Sequence, residues 1–207
     1  MLKQIFFFLI VRPIILLISG VYLRGKENLM IDGPCIIAAN HNSHIDTMVL
    51  MSIFPLKRIT KIRPVAAADY FLSNKFVAWF SLNVIGIIPL SRKPKKSDGH
   101  PFAKVDEALN NGDIVIIFPE GSRGESEKMS PFKTGIAHLA KSFPEVPVLP
   151  IFIHGAGKCL PKGEALFVPF VIDVSISKAL SLKEDETNRD FTSRIESEIK
   201  KLESEIL

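Results

Sequence analysis

Seven consecutive residues hold an unusual concentration of reactive side chains: Asn40-His41-Asn42-Ser43-His44-Ile45-Asp46. They follow the apolar run Cys35-Ile36-Ile37-Ala38-Ala39 and precede Met48-Val49-Leu50-Met51. An imidazole takes up a proton near neutral pH, and a carboxylate a few residues on can fix its tautomer and steady the imidazolium. His41 and Asp46 therefore make the minimum kit for a positioned general base. A plainer use of the stretch is helix capping by Ser43 or Asp46. His41, His44 and Asp46 could also ligate a metal, which would make a hydrolase. No further ligand cluster stands elsewhere in the chain, so no metal is expected.

Two more polar clusters follow apolar runs. Ser91-Arg92 comes after Gly86-Ile87-Ile88-Pro89-Leu90, and Phe118-Pro119-Glu120-Gly121-Ser122-Arg123 follows Ile114-Val115-Ile116-Ile117. In open α/β sheets, ligands gather beyond the carboxyl ends of the strands. The three clusters together would put one base–acid pair and two arginines on one rim. Guanidinium groups fit phosphate in bidentate fashion. Such a rim suits a substrate bearing both a hydroxyl and a phosphate.

The elements that must position these residues read as α/β. Short apolar strands are expected at 35–39, 65–68, 85–90, 114–118 and 148–153, with a final strand or pair within 168–176. Helices are expected at 46–54, 70–79, 102–110 and 132–143, and from Thr187 onward. The last carries Phe191, Ile195, Ile199, Leu202 and Ile206 on one stripe, as core packing does. The 207 residues suffice for a single domain with a proper core. Strands that are unbroken Val and Ile runs point to a mostly parallel, mixed sheet flanked by helices.

Residues 2–23 are the most apolar part, divided by Arg12 and Pro13. Neither half approaches the ~20 apolar residues needed to cross a bilayer, and a central arginine costs about 2.5–3.5 kcal/mol or more there. Lys3 stands before the segment, and Arg24 and Lys26 after it. This reads as N-terminal apolar membrane-anchoring helices, retained and monotopic, over residues 1–24, with the folded domain at 25–207. The formal charge of +4 is modest, but basic residues cluster at Arg58, Lys61 and Arg63 and at Arg92, Lys93, Lys95 and Lys96. Such runs are solvated surface or contacts for an anionic partner. Nucleic acid is not expected, because the aromatics sit in apolar runs instead of alternating with Lys and Arg. Cys35 and Cys159 have no metal or redox spacing and read as reduced packing residues of a cytosolic compartment.

His41 to Asp46, led by Asn40, resembles the first motif of the glycerolipid acyltransferases, the 1-acylglycerol-3-phosphate acyltransferase family. Phe118 to Arg123 resembles the third motif, Gly86 to Arg92 the second, and Pro147-Val148-Leu149-Pro150-Ile151 the fourth. The four stand in family order within residues 35–155. The chain departs from the pattern at Val65–Asp69, where many relatives carry a lysine and this stretch is alanine-rich and ends in an acid. The second motif also carries Pro89 and Ser91.

The resemblance implies transfer of a fatty acyl group from acyl-CoA or acyl carrier protein to the sn-2 hydroxyl of 1-acylglycerol 3-phosphate. His41 would be the base and Asp46 its orienting acid. Arg92, Glu120, Gly121, Ser122 and Arg123 would form the substrate-binding set, with the two arginines on the acceptor phosphate and Glu120 and Gly121 shaping the loop. The thioester serves as co-substrate and no cofactor is implied. Implied partners are the membrane phospholipid surface, the lysophospholipid acceptor and the acyl donor, at the cytoplasmic face of the cell membrane. Another lysolipid or glycerol 3-phosphate as acceptor stays open, as does a non-catalytic membrane-associated scaffold.

Overall fold

The computed structural model describes residues 1–31, 33–91, 100–160 and 167–206. Seven strands form one sheet: β1 (Val21–Arg24), β2 (Cys35–Ala39), β3 (Ile62–Ala67), β4 (Ile88–Leu90), β5 (Ile114–Ile117), β6 (Val148–His154) and β7 (Ile172–Ile176). Their order is β1-β7-β6-β2-β5-β3-β4. Strands β6, β2, β5, β3 and β4 run parallel, while β7 lies antiparallel to β6 and carries β1 parallel beside it. Every residue of β2 is buried, as a central strand covered on both faces requires.

The helices are α1 (Leu2–Phe6), α2 (Asp46–Ser52), α3 (Ala68–Phe71), α4 (Lys75–Phe80), α5 (Ala103–Asn110), α6 (Gly135–Ser142), α7 (Ala156–Cys159) and α8 (Asn188–Ser204). One expected helix at 70–79 is two, α3 and α4, because Asn74 is extended and its side chain caps α4 by accepting from Phe76 and Val77 N–H. Thr187 caps α8, accepting from the Asp190 N–H at 3.2 Å. The α8 stripe Phe191, Ile195, Ile199 and Leu202 is buried, in the core that covers one face of the sheet.

The N-terminal segment continues from α1 through π-helical turns at Phe7–Val11 and Pro13–Ser19. Lys3, Phe7, Val11 and Ile15, spaced by four, are buried against the opposite face of the sheet from α8. Arg12 also turns toward the protein, donating to the carbonyls of Ser52 and Phe54 at the end of α2. Outward on the same helix stand Leu2, Ile5, Phe8, Leu9, Ile10, Ile14 and Leu16, 39–62% exposed. Phe76, Val77, Trp79 and Leu82, on α4 and the π turn after it, are exposed as well. An edge-on contact of Phe6 with Phe80, 5.1 Å between ring centres, joins the two elements. Among the described residues no helix is long and apolar enough to cross a membrane. Residues 21–24, read from sequence as the end of the anchor, form edge strand β1.

Candidate active site

The carboxyl ends of β2, β5 and β6 come together because these strands are parallel neighbours. Asn40 ends β2. Its buried side-chain amide donates to the Ile153 carbonyl (2.8 Å) and accepts from the Ile153 N–H (2.7 Å) on β6. The amide thus replaces a backbone ladder pair and lets the main chain leave the sheet at His41. Spacing alone suggests a loop or capping role for Asn40; its partner lies 113 residues away and gives no local signal.

His41 is held from three sides. Its Nδ1 faces Asp46 Oδ2 at 2.9 Å. Its N–H donates to Glu120 Oε1 at 2.7 Å, and its carbonyl accepts from the Gly124 N–H at 3.1 Å. The Phe118 ring stacks on the imidazole, 4.0 Å between centres and 16° between planes. Asp46 is 1% exposed, and its Oδ2 also accepts the N–H groups of Asn42 (2.7 Å) and Ser43 (2.8 Å). Three donors converge on one oxygen, which keeps the carboxylate oriented. With Nδ1–H directed at a carboxylate, the lone pair resides on Nε2, the form a general base needs. Asp46 and Ser43 do not cap α2 through their side chains. Ser43 Oγ donates to the Leu160 carbonyl at 2.7 Å.

The third-motif loop opens with a hydrogen-bonded turn, Gly121 N–H to Phe118 carbonyl, with Pro119 and Gly121 at its second and fourth places. Gly121 has φ 74°, which explains the glycine by conformation. Glu120 is 3% exposed, and its second oxygen accepts the Ser130 N–H at 2.8 Å. Burial pushes its carboxyl pKa upward. Both oxygens of Glu120 accept from backbone, so the carboxylate ties the His41 turn to the loop that reaches Ser130.

His41, Gly121, Ser122 and Arg123 line one cavity of about 530 Å³. Apolar residues make up much of the rest of its lining: Met48, Pro64 to Ala67, Phe71, Ile85, Ile87 and Leu90. Tyr70 and Asp69 stand at the same cavity, with the Arg123 guanidinium 5.9 Å from the Tyr70 ring centre. His44 also lines it; burial, then the charges of Arg123 and His41, lower its pKa. Among the described residues no group of three or more His, Cys, Asp or Glu side chains is placed to hold a metal ion. Cys35 is buried, its thiol pushed up to about 12, and Cys159 is buried too, so neither is a nucleophile. Arg92 and the lysines just after it lie outside the described residues.

A family model described as Acyltransferase matches residues 20–154, about two thirds of the chain. The chain belongs to the acyltransferase family. It is 34% identical over 160 residues to a 1-acyl-sn-glycerol-3-phosphate acyltransferase of Pseudomonas aeruginosa, covering 76% of this chain and 58% of that protein. A chloroplastic enzyme of the same name from Brassica napus is 31% identical over 142 residues, 68% of this chain and 39% of that one. The chain thus spans well under two thirds of these relatives. The crystal structure of the 1-acyl-sn-glycerophosphate acyltransferase PlsC from Thermotoga maritima superposes with a TM-score of 0.74 at 25% identity, over 90% of this chain and 71% of that one. In this acyltransferase the matched region takes in the three strand ends that hold His41.

Proposed function

We propose that this acyltransferase moves a fatty acyl group from an acyl thioester to the free sn-2 hydroxyl of 1-acylglycerol 3-phosphate, giving phosphatidic acid. The observation that carries the reading is the His41–Asp46 pair, with His41 lining a largely apolar cavity that Arg123 also lines. His41 Nε2 takes the proton from the acceptor hydroxyl as its oxygen attacks the thioester carbonyl. The tetrahedral intermediate collapses, the carbon–sulfur bond breaks, and the imidazolium returns the proton to the leaving thiolate. Direct transfer is favoured because, among the described residues, no serine, threonine or cysteine side chain hydrogen-bonds His41.

The N–H groups of Asn42 and Ser43 are engaged by Asp46 and cannot serve the oxyanion. That task falls to the Ser122 side of the cavity wall. Arg123 takes the acceptor phosphate, with Arg92 as its partner arginine from the sequence motif. His44, disfavoured as a cation, is a neutral neighbour. The donor is acyl-CoA or acyl carrier protein. The outward apolar residues of the N-terminal helix and α4 rest in one leaflet of the cell membrane at its cytoplasmic face, where acceptor and product reside.

The test is an acyl-transfer assay of membranes containing this protein against a panel of lysolipids, with both donors. Because Asp69 lines the cavity, amine-bearing lysolipids belong in the panel. Phosphatidic acid formation lost in His41→Ala, with unchanged far-ultraviolet dichroism and membrane binding, is the expected result. Wild-type rates in that variant would defeat the mechanism.

A further inference from the structure

A second carboxylate on the 118–131 loop reaches a different strand end. Glu127 is the non-glycine residue with positive φ, 57°, among the described residues. A left-handed L residue costs on the order of 1 kcal/mol and persists where its surroundings over-determine it. Glu127 Oε2 accepts the Gly155 N–H at 3.0 Å and lies 2.8 Å from His154 Nδ1. Oε1 accepts the Gly157 N–H at 3.0 Å. Both oxygens therefore hold the turn between β6 and α7.

We propose that Glu127 is a positioning residue for acyl transfer, clamping the 118–131 loop to α7 and, through α7, seating the turn that carries Asp46. The path is continuous. Beyond α7 the Leu160 carbonyl accepts Ser43 Oγ at 2.7 Å, and the Ser43 N–H donates to Asp46 Oδ2 at 2.8 Å. Gly157 is the junction: a Cβ there would lie 2.6 Å from Ser126 Oγ, 2.7 Å from Glu127 Oε1 and 3.3 Å from Asn42 Cβ. Loop, α7 and catalytic turn meet with no room for a side chain. Glu120 and Gly124 hold His41 directly, while Glu127 holds Gly155 and Gly157, the turn whose far end, Leu160, accepts Ser43 Oγ. A loop gripped at one point could pivot; gripped at two, it holds the Asp46–His41 angle on which proton transfer depends. The proposal rests on the acyltransferase reading of the His41 site.

Glu127→Gly separates this role from turn formation, because glycine adopts the left-handed region freely but carries no carboxylate. With the full chain in detergent micelles, kcat should fall about 10- to 100-fold while KM for donor and acceptor stays within about threefold. Amide exchange at Asn42 and Ser43 should speed up, and the proton resonance of His41 Nδ1 should shift or broaden. Glu127→Gln, which keeps one accepting oxygen, should lie between. Wild-type kcat together with wild-type exchange at Asn42 and Ser43 in Glu127→Gly would overturn the proposal. A wild-type chain that acylates none of the lysolipids would defeat the acyltransferase reading instead. The exchange and Nδ1 measurements would still decide the fate of Glu127.

Discussion

Lys3 is a buried cation, and its titration sets a measurable slope on stability. It is 8% exposed, and its ammonium donates to the Ile62 carbonyl at 2.6 Å. Gly86 leaves it space, since a Cβ there would lie 2.9 Å from Nζ. Desolvation, followed by the charge of Arg63, lowers its pKa from 10.5 to about 7, against a smaller opposing effect of Asp113. Arg63 and Lys61 also lie 3.7 and 3.3 Å from Asp113. The unfolded chain keeps this proton up to about pH 10.5, whereas the folded chain releases it near 7. Between those values unfolding takes up a proton, so the folded state gains stability as pH rises. At about 1.4 kcal/mol per pH unit, with the slope flattening near the folded value, the gain from pH 7 to 9 is about 2 kcal/mol.

Lys3→Met removes the titrating group and keeps the apolar stem, at the cost of leaving the Ile62 carbonyl without its donor, roughly 1–3 kcal/mol. The assay is urea unfolding followed by far-ultraviolet dichroism in a non-ionic detergent, for both proteins at pH 7, 8 and 9. The stability of the variant relative to wild type should decline by about 2 kcal/mol across that range. Parallel pH profiles would refute the placement of Lys3 as a buried, partly deprotonated pin between the N-terminal helix and the start of β3.

Two further outcomes follow from the site and the surface. Arg123→Ala should raise KM for lysophosphatidic acid more than KM for the acyl donor in steady-state assays; an equal change in both would count against the phosphate role. Trp79→Asp with Phe76→Asp should weaken flotation with phospholipid vesicles at least tenfold while leaving the melting temperature within a few degrees. These side chains are exposed and contribute no core packing.

Much of this architecture can be read from the chain. The strand 35–39 is found at those residues, because an unbroken apolar run bounded by Pro34 and Asn40 leaves little choice. The helix at the carboxyl end is found with its stripe inward. The pairing of His41 with Asp46 is also legible, since a five-residue spacing closes locally. What is not legible is whatever depends on a distant partner. Asn40 reads as a loop residue until β6 lies beside it. The loop-shaping role of Glu120 can be expected from its motif, but its two partners, the His41 and Ser130 N–H groups, cannot. Glu127 sits in a run of polar residues, where nothing distinguishes it from a solvated loop glutamate. The short strand β1 starts one residue after the N-terminal helix, across Gly20, so Val21 to Leu23 read as the tail of that apolar segment.

The amide of Asn40 has a consequence in time. His41 and Asp46 are five residues apart, so the pair can form as soon as that segment is made. The contacts that aim it close loops of 79 residues to Glu120 and 113 residues to Ile153. Long-range closures of this kind come late in folding. A nascent chain, or one cut after the third motif, therefore carries His41 and Asp46 without the contacts that fix their orientation. The His41–Asp46 pair is aimed only when β6 docks, so its geometry belongs to the finished sheet and not to the local segment.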